Sequence, residues 1–175
     1  MLATATFAID ALEAPVVQRP ALAGRQQRVR RATKRTATGS VCLVVSADPL
    51  RRMMFGQAAE RAGWRSVVCE DQAQALEHIA AGAVGLTLVD TASTGTSDRK
   101  SLVESLAGRQ NLLTVVCGRT NDTQEEIWAR EQAAWMYLPG VAPESDIDPI
   151  LSAAKEVAEK LNKASRSLVG VGDDF

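Results

Sequence analysis

The sequence predicts one α/β domain in which five strands alternate with five helices, the strands parallel and the helices on both faces of the sheet. Three observations predict it. From position 41 onward, apolar runs of four to six residues, beginning with Val41-Cys42-Leu43-Val44-Val45, alternate with longer segments whose apolar residues recur at helical spacing. Capping acids open several of the helical segments and glycines close several of them, so the punctuation is regular. The third run, Leu86-Thr87-Leu88-Val89, ends on Asp90, which places a carboxylate at the carboxyl edge of the sheet, where open α/β folds bind ligands. Alternation of this kind implies right-handed crossovers that return each strand parallel to the last.

The elements follow in order. The first strand, 41–46, is a continuous apolar run as far as Val45, as a strand buried on both faces should be. Asp48 is placed to cap a helix and Pro49 to occupy its first position. Leu50, Met53, Met54, Ala58 and Ala62 are its expected inward face, and Gly63 its stop. A second strand, 66–69, precedes a helix opened by Asp71. That helix turns Ala75, Leu76, Ile79 and Ala80 inward, leaves His78, the only histidine, outward, and ends at Gly82. After the third strand, 86–90, a small polar loop, 91–97, leads to a helix carrying Leu102, Val103 and Leu106 and closed by Gly108. The fourth strand is 112–117. Asp122 and Glu125 form a capping pair for a helix with Ile127 and Trp128 on its apolar side. The fifth strand, 135–138, is short. The last helix repeats Ile147, Ile150, Leu151, Ala154, Val157, Ala158 and Leu161 at 3.6-residue spacing, the cleanest periodicity in the chain.

Composition divides the chain. With 175 residues, 46% of them hydrophobic, it can bury the core of one ordinary domain. Residues 1–40 carry seven basic side chains (Arg19, Arg25, Arg28, Arg30, Arg31, Lys34, Arg35) against Asp10 and Glu13. That leaves 13 of the 20 basic and 19 of the 21 acidic residues to the rest, so a basic segment adjoins an acidic body. Three units are expected: a flexible basic arm (1–40), the folded domain (41–163) and a flexible tail (164–175). Within the arm, Phe7 to Leu12 allows a helical turn that Pro15 and Pro20 interrupt. Cys42, Cys69 and Cys117 lie in strands, and an odd number without paired spacing makes neither a disulfide framework nor a zinc site. No signal peptide or membrane span is read, and the expected location is cytoplasmic.

With these residues in place, 41–163 resembles the receiver domain of bacterial response regulators. Val44-Val45-Ser46-Ala47-Asp48-Pro49 is similar to that family's first strand and helix entry, Cys69-Glu70-Asp71 to its second, and Leu88-Val89-Asp90 to its phospho-acceptor strand. The resemblance implies a flavodoxin-like sheet of order 2-1-3-4-5, with Asp90 at the position that accepts a phosphoryl group. It also implies Mg²⁺ held by that residue and by an acidic pair ending the first strand. Here the pair reads Ser46 and Ala47, one neutral oxygen and none, and Asp48 lies one step too far along. A hard cation needs oxygen ligands with charge, so metal binding is expected to be weak. Cys117 stands where the family has a hydroxyl, Gly140 where it has a lysine, and Thr94 where it has a loop proline. Tyr137 matches its aromatic switch residue.

The expected function is therefore that of a degenerate receiver: a non-enzymatic regulatory or adaptor module without cofactor. It would bind a protein partner, or itself, through the fourth helix, fifth strand and fifth helix, with Trp128, Trp135 and Tyr137 on that face. Two alternatives stand beside it: a phospho-accepting single-domain regulator using Asp90, and a nucleic-acid-associated protein binding weakly through Arg25, Arg28, Arg30, Arg31, Lys34 and Arg35.

Overall fold

The computed structural model describes residues 41–82, 84–142 and 145–169. The basic cluster from Arg25 to Arg35, the segment from Phe7 to Leu12, and positions 170–175 lie outside the described residues. Within them, β1 (Val41–Val45), β2 (Arg65–Cys69), β3 (Val84–Asp90), β4 (Leu113–Gly118) and β5 (Met136–Pro139) form one parallel sheet of order 2-1-3-4-5. The helices α1 (Pro49–Arg61), α2 (Gln72–Ala80), α3 (Thr96–Leu106), α4 (Thr123–Glu131) and α5 (Asp148–Val169) alternate with them. The fold class and strand order are those predicted. Among the described residues no helix is long and apolar enough to cross a membrane.

Alternation along the strands divides the core in two, because successive side chains point to opposite faces. Cys42, Val44, Leu86, Leu88, Val115 and Cys117 meet Phe55, Ala58 and Ala59 of α1 and Leu151, Ala154 and Ala158 of α5. Leu43, Val45, Val89 and Val116 meet Ala75 and Ile79 of α2, Leu102, Val103 and Leu106 of α3, and Ala129 of α4. The Trp64 indole donates to the Leu151 carbonyl at 2.8 Å, so its one polar atom is satisfied inside the core.

Several local expectations change. Leu50 and Met53 are 56% and 54% exposed rather than inward. Asp48 does cap α1, accepting from the Leu50 and Arg51 amides at 2.8 and 3.2 Å. The helix phase then turns Phe55, Ala58, Ala59 and Ala62 to the sheet, a stripe at i, i+3, i+4 and i+7 that leaves Leu50 and Met53 outside it. In α2, Leu76 is half-buried and Ala80 exposed, so Ala75 and Ile79 alone face the core fully. In α4, Ile127 is exposed and Trp128 half-buried, while Glu125 and Ala129 point inward. Asp122 caps that helix through the Glu125 amide at 2.9 Å, but the Glu125 carboxylate does not return the bond; it turns to β5 instead. β3 begins at Val84 and β5 at Met136, with Trp135 just before β5 donating its amide to the Thr114 carbonyl. α5 continues to Val169, beyond the boundary expected at 163, and the Ser165 hydroxyl bonds Asn111 Oδ1 at 2.9 Å in that added stretch.

Candidate functional site

The sheet changes winding direction between β1 and β3, which opens a crevice at the carboxyl ends of these two strands. Val45 pairs with Val89, so the next residue of each strand, Ser46 and Asp90, stand side by side, and Asp90 pairs with Cys117 on β4. Ser46, Asp90 and Cys117 are each fully buried. Ser46 and Asp90 thus meet at the strand ends, joined by a member that the sequence did not single out.

That member is Arg51. It lies one turn before Phe55 on the inward stripe of α1, and its guanidinium reaches over the strand ends to Asp90. Nε donates to Asp90 Oδ2 at 2.9 Å and Nη2 to Oδ1 at 2.9 Å, a two-pronged fork in which both partners are oriented. Nη1 donates to the Val141 carbonyl at 2.6 Å, and the guanidinium carbon lies 5.2 Å from the centre of the Phe55 ring. The carboxylate is otherwise completed by the Ser46 hydroxyl on Oδ2 at 2.6 Å and the Ala92 amide on Oδ1 at 3.2 Å. The Asp90 side chain is wholly buried and that of Arg51 only 16% exposed. A buried charge is tolerated when paired and fully hydrogen-bonded, which is the case here.

The remaining predicted positions fall around this pair. Asp48 is committed to capping α1, and Ala47 contributes no ligand atom. Gly140 sits at φ 62° in the loop after β5, its amide bonded to the Gly118 carbonyl at 3.0 Å. A β-carbon there would meet the Thr120 hydroxyl, which would have to move, so a long cationic side chain is disfavoured on two grounds, backbone and space. Burial pushes the Cys117 thiol far above its ordinary range, with Asp90 adding to the effect, and the fully buried side chain behaves as core. Among the described residues no group of three histidine, cysteine or acidic side chains could hold a metal ion. A divalent ion bound by Asp90 does not fit this donor set: Arg51 covers both carboxylate oxygens, Ser46 points its proton at one of them, and Asp48 is engaged elsewhere.

The three aromatic residues pack against two different core layers. Trp135 packs with the layer of α1 and α5, Trp128 and Tyr137 with the other. Trp128 carries Lys100 over its ring at 4.8 Å. Beside them Arg130, Ala134, Trp135, Met136 and Tyr137 line a crevice of about 330 Å³. The Tyr137 hydroxyl is held inward, 3.1 Å from Glu125 Oε2 and 3.2 Å from the Arg119 carbonyl, while the Arg119 amide donates to the same carboxylate at 3.0 Å. Glu125 is 3% exposed. Gly118 makes this arrangement sterically possible, because a β-carbon there would overlap the Tyr137 hydroxyl and ring.

Burial, then the neighbouring Glu125 carboxylate, raise the Tyr137 phenol well above its ordinary value of about 10. The folded state therefore holds this proton more tightly than the unfolded chain. The stability that follows is complete below pH about 10 and is lost as pH rises above it. Tyr137 is the only tyrosine, so an absorbance titration reads it alone. The wild type should ionise only with alkaline unfolding, and Gly118→Ala, which displaces the ring, should ionise near 10; a wild-type phenol titrating at about 10 would contradict the inward arrangement.

No family model matches the chain, and no curated protein matches its sequence. Solved structures do. A response regulator receiver domain protein (CheY-like) from Methanospirillum hungatei superposes with a TM-score of 0.58 at 17% identity, over 73% of this chain and 99% of the other. A response regulator from Burkholderia pseudomallei, solved with a phosphorylated aspartic acid, a calcium ion and citrate, gives 0.56 at 19%, over 73% of each chain. A protein of the same organism described as pilus assembly-related gives 0.55 at 19%, over 69% of this chain and 92% of that one. These likenesses show the fold: it is that of response-regulator receiver domains.

Proposed function

We propose that this receiver-like fold serves as a regulatory or adaptor module that binds protein partners, or a second copy of itself, without being phosphorylated and without catalysing a reaction. The observation that carries the proposal is the Arg51 fork on Asp90. A receiver that signals by phosphorylation needs its acceptor carboxylate free to attack a phosphoryl group and a metal ion to neutralise the charge that develops. Here a cation built into α1 supplies neutralisation permanently, and both acceptor oxygens are hydrogen-bonded. The same guanidinium ties α1 to the loop after β5 through Val141, so the strand ends and that loop are held together by one side chain.

The face formed by α4, β5 and α5 is the proposed docking surface. Exposed Ile127 and the crevice lined by Trp135, Met136 and Tyr137 give it apolar anchors, and Arg130 gives it a polar rim. The likeness to a pilus assembly-related protein is in keeping with use of the fold within an assembly. Affinity capture with the full chain, with and without acetyl phosphate and Mg²⁺, tests the reading. The same partner should be retained in both conditions and by Asp90→Asn, and lost with Ile127→Asp; a partner held only after treatment with the phosphodonor would overturn it.

A further inference from the structure

The loop Ser93-Thr94-Gly95-Thr96-Ser97 leads from the end of β3 into α3 and is rich in hydroxyls. Gly95 is the cap residue, at φ 74° and ψ 32°, and gives no side-chain hydrogen bond to the first amides of the helix. Those amides carry the positive end of the helix dipole, which draws anions but does not by itself make a site. The second feature is Arg99. It is 4% exposed, yet among the described residues it forms no ion pair, and its Nε has no hydrogen-bond partner. Its Nη2 donates to the Ser93 carbonyl at 2.8 Å, and the Ser93 hydroxyl is likewise buried without a partner.

Geometry brings these groups together. The guanidinium lies against Gly95, where a β-carbon would stand 3.4 Å from Nη1 and 3.6 Å from Nη2, so the fork rests beside the cap of the helix. Thr96 fixes the shape of the loop, its hydroxyl within 3.1 Å of both the Thr91 and the Ser93 carbonyls. Nearby carboxylates do not supply the missing counter-charge. Asp90 is taken by Arg51, Ser46 and Ala92, and Asp98 is exposed, lining the crevice it shares with Asp71 and Leu76. Burial lowers the Arg99 pKa, with Asp90 and Asp98 opposing it only in part, the mark of a cation removed from water without adequate compensation.

We propose that Arg99, the Ser93 hydroxyl and the first amides of α3 form a binding site for a phosphate-type oxyanion, either the free ion or the end of a small phosphomonoester. A tetrahedral oxyanion suits this set, because it offers several oxygens at once to a guanidinium fork, a hydroxyl and backbone amides. Binding there leaves Asp90 on Arg51 and involves no covalent step.

An amide NMR titration of the full chain tests it, with sodium phosphate added at constant ionic strength against a sodium chloride reference. Saturable shifts are expected at residues 93–98, weakened about tenfold or more in Arg99→Gln through loss of a charge-assisted bond. Because Arg99 is buried, Ser93→Ala serves as the variant that retains the cation, with binding expected to weaken several-fold. Adenosine monophosphate in a parallel titration distinguishes the sources: tighter binding assigns a phosphomonoester, equal or weaker binding the free ion. Shifts that fail to saturate, that chloride reproduces, or that persist unchanged in both variants would overturn the proposal.

Discussion

Arg51→Met is expected to destabilise the domain by about 3–5 kcal/mol, measured as the midpoint of urea unfolding at unchanged slope. Methionine keeps an unbranched stem that can pack on Phe55, so the loss isolates the guanidinium. Removing it leaves the Asp90 carboxylate, which is wholly buried, with only the Ser46 hydroxyl and the Ala92 amide. That places the effect toward the lower end of the range. Two further losses act in the same direction: the bond to the Val141 carbonyl and the contact of cation with ring. The double variant Arg51→Met/Asp90→Asn should recover part of the loss, because no uncompensated charge then remains. A change below about 1 kcal/mol in the single variant would mean that the fork is worth no more than a surface ion pair.

The fold was legible because its signals are redundant. Every strand of the sheet reads as a short apolar run, Asp48 and Asp71 announce their helices, and the periodicity of α5 needs no tertiary information. The vacancies around Asp90 were legible too, since Ser46, Ala47 and Gly140 are identities rather than conformations. What stands in the vacancy was harder to read. Leu50 and Met53 suggested an inward face for α1 that ran partly through the wrong residues, and Arg51 between them was not singled out. The signal was present in the spacing: Phe55, Ala58 and Ala62 make a complete stripe, and Arg51 extends it by one turn toward the carboxyl edge of the sheet. Glu125 was hidden for a related reason. Its position suited a capping pair, and nothing local shows that β5 brings Tyr137 to its carboxylate. Arg99, at the start of a polar helix, gives no sign in the sequence that it is buried; only the packing of the loop from Thr91 to Gly95 reveals it.

Exposure of the full chain to a phosphodonor is expected to give the second large effect, an all-or-none difference between this domain and a signalling receiver. A working receiver needs an unencumbered carboxylate, a divalent ion and a second cation on the transferred group. Under the proposed function Arg51 stands in for both the second cation and the metal, because it engages both oxygens that would attack or bind. Arg51→Met alone is not expected to restore reactivity. Ser46 and Ala47 still provide no charge for Mg²⁺, and Gly140 cannot carry a lysine without strain and displacement of Thr120.

Intact-mass spectrometry after incubation of the full chain with acetyl phosphate and Mg²⁺ tests this most directly. No phosphoryl adduct is expected in the wild type or in Asp90→Asn. A phosphoryl adduct on the wild type that disappears in Asp90→Asn would contradict this expectation.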